Sequence, residues 1–199
     1  MGEAAGSESM GGEPFTAGGT GSIVIIGAPG SGKSTVGALV AKRLGLEFVD
    51  VDEVIEQRAG KRIGDIFLDD GEAYFRRLER DTTIDLLDSG GVVSLGGGAV
   101  MDPDIREALA GHQVVWLKVS ITQATRRVGM NSLRPLLLGN VRGRLVALLK
   151  ERTPLYERCA TITVDTDGLK ARHAARAVVE AVTGRALPAE ADDEAPPAG

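Results

Sequence analysis

The sequence is poor in the residues that build metal and disulfide sites. It has one cysteine, Cys159, and two histidines, His112 and His173. A single thiol excludes a disulfide framework and a multi-thiolate zinc site, and two histidines leave little room for a histidine-ligated metal. No apolar run reaches the ~18 residues that span a bilayer. The N-terminus lacks a basic segment followed by an apolar one, so a secretory signal is not expected and the expected setting is cytoplasmic. There is no excess of positive charge: 23 Lys and Arg stand against 28 Asp and Glu, a net charge of −5. That balance argues against a nucleic-acid partner or a polybasic membrane binder. What is present is a globular composition, 43% apolar over 199 residues, enough for one domain with its own core.

Residues 1–21 hold Glu3, Glu8 and Glu13 and no base, and residues 187–199 hold Glu190, Asp192, Asp193 and Glu194 and no base. Both stretches are built from small and acidic residues that bury too little apolar surface to offset chain entropy, and both are expected to be disordered tails. The body between them, about residues 22–186, carries two more bases than acids. That suits an anionic substrate.

Within the body, short β-branched runs alternate with segments of helical periodicity. Strands are expected over 22–26, 46–50, 92–95, 113–119 and 161–164. Helices are expected over 34–44, 52–59, 62–67, 72–87, 104–109, 122–128 and 169–182, with another from 141 ending near Thr153-Pro154. Residues 130–140 read as irregular. The alternation predicts an α/β fold, three layers with a five-stranded parallel sheet covered by helices on both faces.

Gly27-Ala28-Pro29-Gly30-Ser31-Gly32-Lys33-Ser34 fits the pattern G-x-x-x-x-G-K-[ST], follows a strand and opens a helix, which is the context that motif requires. Its glycines let successive backbone N–H groups converge on a phosphate, and the helix N-terminus adds partial positive charge. Lys33 can reach the β- and γ-phosphates of a nucleoside triphosphate, and the Ser34 hydroxyl can ligate Mg²⁺.

Three features bear on what receives the phosphate. Asp50-Val51-Asp52 ends the second strand. Both carboxylates can face one cleft, or Asp52 can simply cap the next helix. In Phe75-Arg76-Arg77-Leu78-Glu79, Arg76 and Glu79 share a helix face. That face is either solvated or offers a guanidinium fork to a carboxylate. Gly96-Gly97-Gly98 at a strand end is either a flexible turn or a place where backbone approaches a ligand closely. Downstream, Arg126-Arg127 precede Met130-Asn131-Ser132-Leu133-Arg134-Pro135, where Pro135 keeps Arg134 out of helical geometry. Arg152-Thr153-Pro154-Leu155-Tyr156 places another arginine near a helix end.

In order and spacing, these motifs resemble shikimate kinase across roughly residues 22–183. The resemblance implies a P-loop, nucleoside monophosphate kinase-like fold with an acceptor-binding region at about 51–80 and a lid at about 128–140. It implies ATP binding by Gly30, Ser31, Gly32, Lys33, Ser34, Thr35, Arg127 and Arg134, with Arg127 against the adenine and Arg134 as the lid arginine. It implies one Mg²⁺ held by Ser34 and, through water, by Asp50. Asp52 would contact the acceptor hydroxyl. Arg76 and Arg152 would bind the shikimate carboxylate, Glu79 would hold Arg76, and Gly97 and Gly98 would offer backbone N–H groups. Lys33, Asp52 and Arg134 would carry catalysis. Family members often have an arginine after the fifth strand, where this chain reads Asp165-Thr166-Asp167-Gly168-Leu169-Lys170.

The implied reaction transfers the γ-phosphoryl of ATP to the 3-hydroxyl of shikimate, a step of aromatic amino acid biosynthesis, by a monomer acting on small molecules. A related sugar-acid kinase of gluconate type would use the same cradle and also need an arginine for a carboxylate. A regulatory module that kept nucleotide binding and lost transfer would need none of the acceptor-side residues.

Overall fold

The computed structural model describes residues 21–130 and 141–188. Arg134 and residues 131–140 of the expected lid lie outside the described residues, as do residues 1–20 and 189–199 of the expected tails.

Five strands form one parallel sheet in the order β2-β3-β1-β4-β5, where β1 is Ile23–Ile26, β2 Phe48–Asp50, β3 Val92–Ser94, β4 Gln113–Lys118 and β5 Ile162–Asp165. The central place falls to β1, whose four residues are all apolar and buried. A strand covered on both faces must be apolar on both. Ile23 and Ile25 pack with Val36, Val40 and the helix Ala171–Thr183 (α8), while Val24 and Ile26 pack with Ile55, Phe75, Trp116 and Tyr156 on the other face. The helices between are α1 (Lys33–Leu44), α2 (Val51–Ala59), α3 (Ile63–Asp69), α4 (Glu72–Leu87), α5 (Pro103–Ala108), α6 (Ile121–Met130) and α7 (Val141–Cys159). None of the described helices is long and apolar enough to cross a membrane.

Three expectations are corrected. Asp52 does not cap the helix that follows β2. That helix starts at Val51, and Asp50 is its N-cap, with Oδ1 accepting the Asp52 N–H at 3.0 Å. The helix from Val141 does not stop at Pro154 but runs on to Cys159. Proline removes the bond to the carbonyl four residues back. Pro154 faces solvent, where water can serve the Lys150 carbonyl, and the turns beyond it are held by Leu155, Tyr156 and Cys159 in the core. Finally, packing extends to Leu187, past the expected boundary at 186. Its N–H donates to Glu180 Oε1 at 2.9 Å, and its side chain lies against the α8 cluster.

Because all strands are parallel, their carboxyl ends lie along one edge of the sheet. The loop after β1, Asp50 of β2, the glycines after β3 and Thr166 after β5 are thereby brought together. Open α/β sheets bind their ligands along this edge.

Candidate active site

The loop from Gly27 to Gly32 is closed by Ser31 N–H donating to the Ala28 carbonyl at 3.1 Å, and α1 begins at Lys33. All three of its glycines are required: at Gly27, with φ +150°, a Cβ would lie 2.7 Å from the Leu117 carbonyl oxygen. Gly30 has φ +79° and a Cβ there would lie 3.0 Å from the Ala124 carbonyl oxygen; Gly32, the N-cap, has φ +92°. Side chains rarely adopt that conformation. The Lys33 ammonium donates to the Ala28 carbonyl oxygen at 3.2 Å, within the loop itself. Burial lowers its pKa, against the pull of Asp52 and Asp50.

Beside the loop lies a cleft of about 150 Å³ lined by Ser31, Gly32, Thr35, Arg127, Thr166 and Leu169. Arg127 comes to it from α6. It donates to the Gly30 carbonyl at 3.2 Å and to the Thr166 carbonyl at 2.9 Å, tying the phosphate loop to the end of β5. Thr166 is buried and donates its hydroxyl to the Lys118 carbonyl at 2.9 Å. A threonine thus anchors Arg127 at the end of β5, a role that nothing in the sequence pattern announces.

Asp50 serves two neighbours. While Oδ1 caps α2, Oδ2 accepts the Ser34 hydroxyl at 2.5 Å. The ladder pairs Asp50 with Ser94, whose buried hydroxyl has no hydrogen-bond partner among the described residues. A carboxylate, an exposed hydroxyl and an orphaned buried hydroxyl make an all-oxygen set of the kind Mg²⁺ takes. Ser94 was not singled out in the sequence; its position opposite Asp50 emerges only from strand register.

The second half of the site is built around the glycines after β3. Each lacks a side chain because something else fills the space. A Cβ on Gly96 would stand 2.7 Å from Glu79 Oε1 and 2.8 Å from Asp52 Oδ1, and one on Gly98 would stand 2.6 Å from Arg76 Nη1. Gly97 lies against Pro29 of the phosphate loop. The three glycines are therefore the surface over which Asp52, Glu79 and Arg76 converge, close to the triphosphate cradle.

Glu79 is buried, with only 2% of its side chain exposed, and its Oε2 accepts from Arg76 Nη1 at 2.7 Å. A buried carboxylate without a partner would be strongly disfavoured. Burial raises the Glu79 pKa, and the charges of Arg76 and Arg152 oppose that rise. Arg76 is held from the other side by Glu72, at 3.1 Å. Arg152, from α7, donates from Nη1 to the Gly97 carbonyl at 2.8 Å. Its Nε is buried and has no partner among the described residues. Two guanidinium groups thus reach adjacent glycines from different helices.

Asp52 sits between the two halves, released from capping by Asp50. Burial, then the charges of Asp50 and Glu79, push its pKa up from 3.8 to about 6, with Lys33 pulling the other way. A carboxyl poised there can hold or take a proton near neutral pH. The structure brings together Lys33, Ser34, Asp50, Asp52, Arg76, Glu79, Gly97, Gly98 and Arg152, and sets Arg127 and Thr35 beside the nearby cleft.

This fold and cradle define a P-loop α/β protein with a nucleoside monophosphate kinase-like fold. A deoxyadenosine kinase from M. mycoides shares the fold at 18% identity with a TM-score of 0.54, covering 82% of this chain and all of that one. The family model for shikimate kinase matches residues 29–183, and the chain belongs to the shikimate kinase family. It is 49% identical to the shikimate kinase of Thermobifida fusca over 170 residues, 85% of this chain and 96% of that protein. It is 53% identical to that of Mycobacterium avium over 168 residues, 83% and 93% of the two chains. Shikimate kinase from Acinetobacter baumannii, solved in complex with shikimate, superposes with a TM-score of 0.76 at 34% identity, covering 82% of this chain and 93% of that one. A gluconokinase from Sinorhizobium meliloti shares the fold alone, at 20% identity with a TM-score of 0.51 over 83% of this chain and 94% of that one.

Proposed function

We propose that this chain transfers the γ-phosphoryl of ATP to the 3-hydroxyl of shikimate, with the triphosphate on the loop from Gly27 to Gly32 and the acceptor over Gly96 to Gly98. The observation that carries the acceptor assignment is the approach of Arg76 and Arg152 to neighbouring glycines beside Asp52. Two forked cations there fit a carboxylate better than a neutral polyol.

Lys33 leaves the Ala28 carbonyl to take the β- and γ-phosphates, and α1 directs its N-terminus at them. Ser34 and Asp50, with Ser94 behind them, would hold Mg²⁺, which neutralises phosphate charge when bound. The adenine lies by Arg127, in the cleft that Thr35 and Thr166 line. Arg76, set by Glu79, and Arg152 hold the acceptor carboxylate, while the N–H groups of Gly97 and Gly98 meet its ring substituents. That fixes the reacting hydroxyl at Asp52, whose carboxylate orients it and accepts its proton as its oxygen bonds the γ-phosphorus and the bond from that phosphorus to the β-phosphate oxygen breaks, releasing ADP. Arg134, outside the described residues, would stabilise the transferring group.

The test is ADP release with shikimate, quinate and gluconate offered in turn. The reading requires shikimate to be turned over far better than gluconate. Gluconate preference would assign the chain to the sugar-acid kinases, and ATP binding without transfer to any acceptor would make it a nucleotide-binding module.

A further inference from the structure

Tyr156 stands outside the roles assigned above, yet it is tied directly to the acceptor site. It lies four residues after Arg152 on α7, so both side chains point the same way. Its side chain is among the largest that are fully buried, 1% exposed, and its ring stacks on Trp116 with centroids 6.0 Å apart. Its hydroxyl donates to the Gly97 carbonyl oxygen at 2.6 Å, the same atom that Arg152 Nη1 meets at 2.8 Å.

A carbonyl oxygen accepts through two lone pairs. Here the two donors occupy both. A trans peptide is planar, with its C=O and N–H pointing in opposite directions, and the described residues contain no cis peptide bond. Pulling the Gly97 oxygen toward α7 therefore turns the Gly98 N–H away from α7. Neither the Gly97 nor the Gly98 N–H donates a hydrogen bond among the described residues. Glycine would otherwise leave this peptide free to rotate.

We propose that Tyr156 is a positioning residue for the acceptor. It fixes the Gly97–Gly98 peptide so that the Gly98 N–H faces the acceptor, and it shares the Gly97 oxygen with Arg152 so that the guanidinium is held with its Nε edge open. This rests on the acceptor reading above. Burial pushes the Tyr156 phenol up to about 12, so its proton stays in place throughout the working range.

Tyr156→Phe keeps the ring and its stack on Trp116 and removes one hydroxyl. In steady-state kinetics with each substrate varied in turn, the KM for shikimate is expected to rise about five- to twentyfold, with kcat changed less than threefold. ATP affinity by calorimetry should stay within twofold. Added to Arg152→Lys, the same change should raise the KM by a smaller factor than it does in the wild type, because both residues act on one oxygen. An unchanged shikimate KM overturns the proposal. So does a loss shared equally between shikimate and ATP together with a lowered melting temperature, which marks a residue that only supports the core. The wild-type assay separates the two levels. If the wild type turns over shikimate and the phenylalanine variant behaves like it, only the role of Tyr156 falls. If the wild type does not use shikimate, the acceptor reading falls and this proposal with it.

Discussion

Asp50 caps the helix that carries Asp52: Asp50 Oδ1 accepts the Asp52 N–H at 3.0 Å, while Oδ2 accepts the Ser34 hydroxyl at 2.5 Å. The capping duty therefore rests on one carboxylate, and the other is left for chemistry. Asp52→Asn should cost the helix nothing and lower turnover by about 100-fold or more, within the range for a general base. Asp50→Ala should instead cost about 1 kcal/mol of stability as a lost cap. Kinetics and thermal melts of the two variants check both expectations. Near-normal turnover in Asp52→Asn would leave Asp52 without a catalytic part.

The raised carboxyl of Asp52 also predicts how stability depends on pH. Burial, with Asp50 and Glu79 nearby, places its folded pKa at about 6, against 3.8 unperturbed. Below about pH 4 the group is protonated folded or unfolded and contributes nothing. Between about 4 and 6 the unfolded chain loses the proton first, so stability falls as pH rises, by up to about 3 kcal/mol once ionisation is complete. Asparagine imitates the protonated group. Without substrates, Asp52→Asn should melt with the wild type at pH 4 and clearly above it at pH 7. A constant difference across that range would remove Asp52 as the titrating group.

Lys33→Ala should abolish transfer and leave the melting temperature nearly unchanged. Lys33 is half-buried, and its hydrogen bond is to the Ala28 carbonyl of its own loop. It is poised for phosphate rather than built into the core. Retention of more than about a tenth of wild-type turnover, a loss under ~1.4 kcal/mol, would show that other groups carry the phosphate charge.

Much of this was legible in the chain. The five strands follow from β-branched runs, and the phosphate loop from a pattern whose geometry leaves few alternatives. What could not be read depends on partners distant in sequence. Asp50-Val51-Asp52 has the same letters whichever carboxylate caps; the choice falls to Asp50 because β2 ends there, beside Ser34. Glu79 reads as one acid on a charged helix until the packing of α4 buries it against Gly96. Pro154 signals a helix end, but the core contacts of Tyr156 and Cys159 outweigh one lost hydrogen bond. Ser94 and Thr166 acquire meaning only from strand register and strand ends.

Gly98→Ala separates close approach from backbone strain. Gly98 has φ −99°, which alanine adopts freely, yet its Cβ would stand 2.6 Å from Arg76 Nη1. The guanidinium is the far end of a flexible side chain and can move, at the expense of its contact with Glu79. Stability should therefore fall, because the buried Glu79 loses its partner, and the KM for shikimate should rise about tenfold or more, as from one lost charge-assisted bond. An unchanged KM would show that Arg76 can shift without harm to the acceptor.

Arg152→Lys decides which side of the site Arg152 serves. The guanidinium spends Nη1 on the Gly97 carbonyl at 2.8 Å and keeps a buried Nε without a partner. Lysine retains the charge but cannot hold a carbonyl and present a planar fork at once. Shikimate binding should weaken by roughly 1–3 kcal/mol, the range for a hydrogen bond to a charged group. ATP affinity, measured by calorimetry, should barely change, since the cleft lined by Arg127 and Thr166 is formed by other elements. An acceptor that lacks the carboxylate should be poor for the wild type and lose little more in the variant, because the bond it never made cannot be removed. Charge interaction does link Arg152 with Lys33, so a loss mainly in ATP affinity is the outcome that would move Arg152 to the nucleotide side. It would also leave Arg76 as the one cation for the acceptor carboxylate, a single fork that a neutral polyol could replace with little penalty.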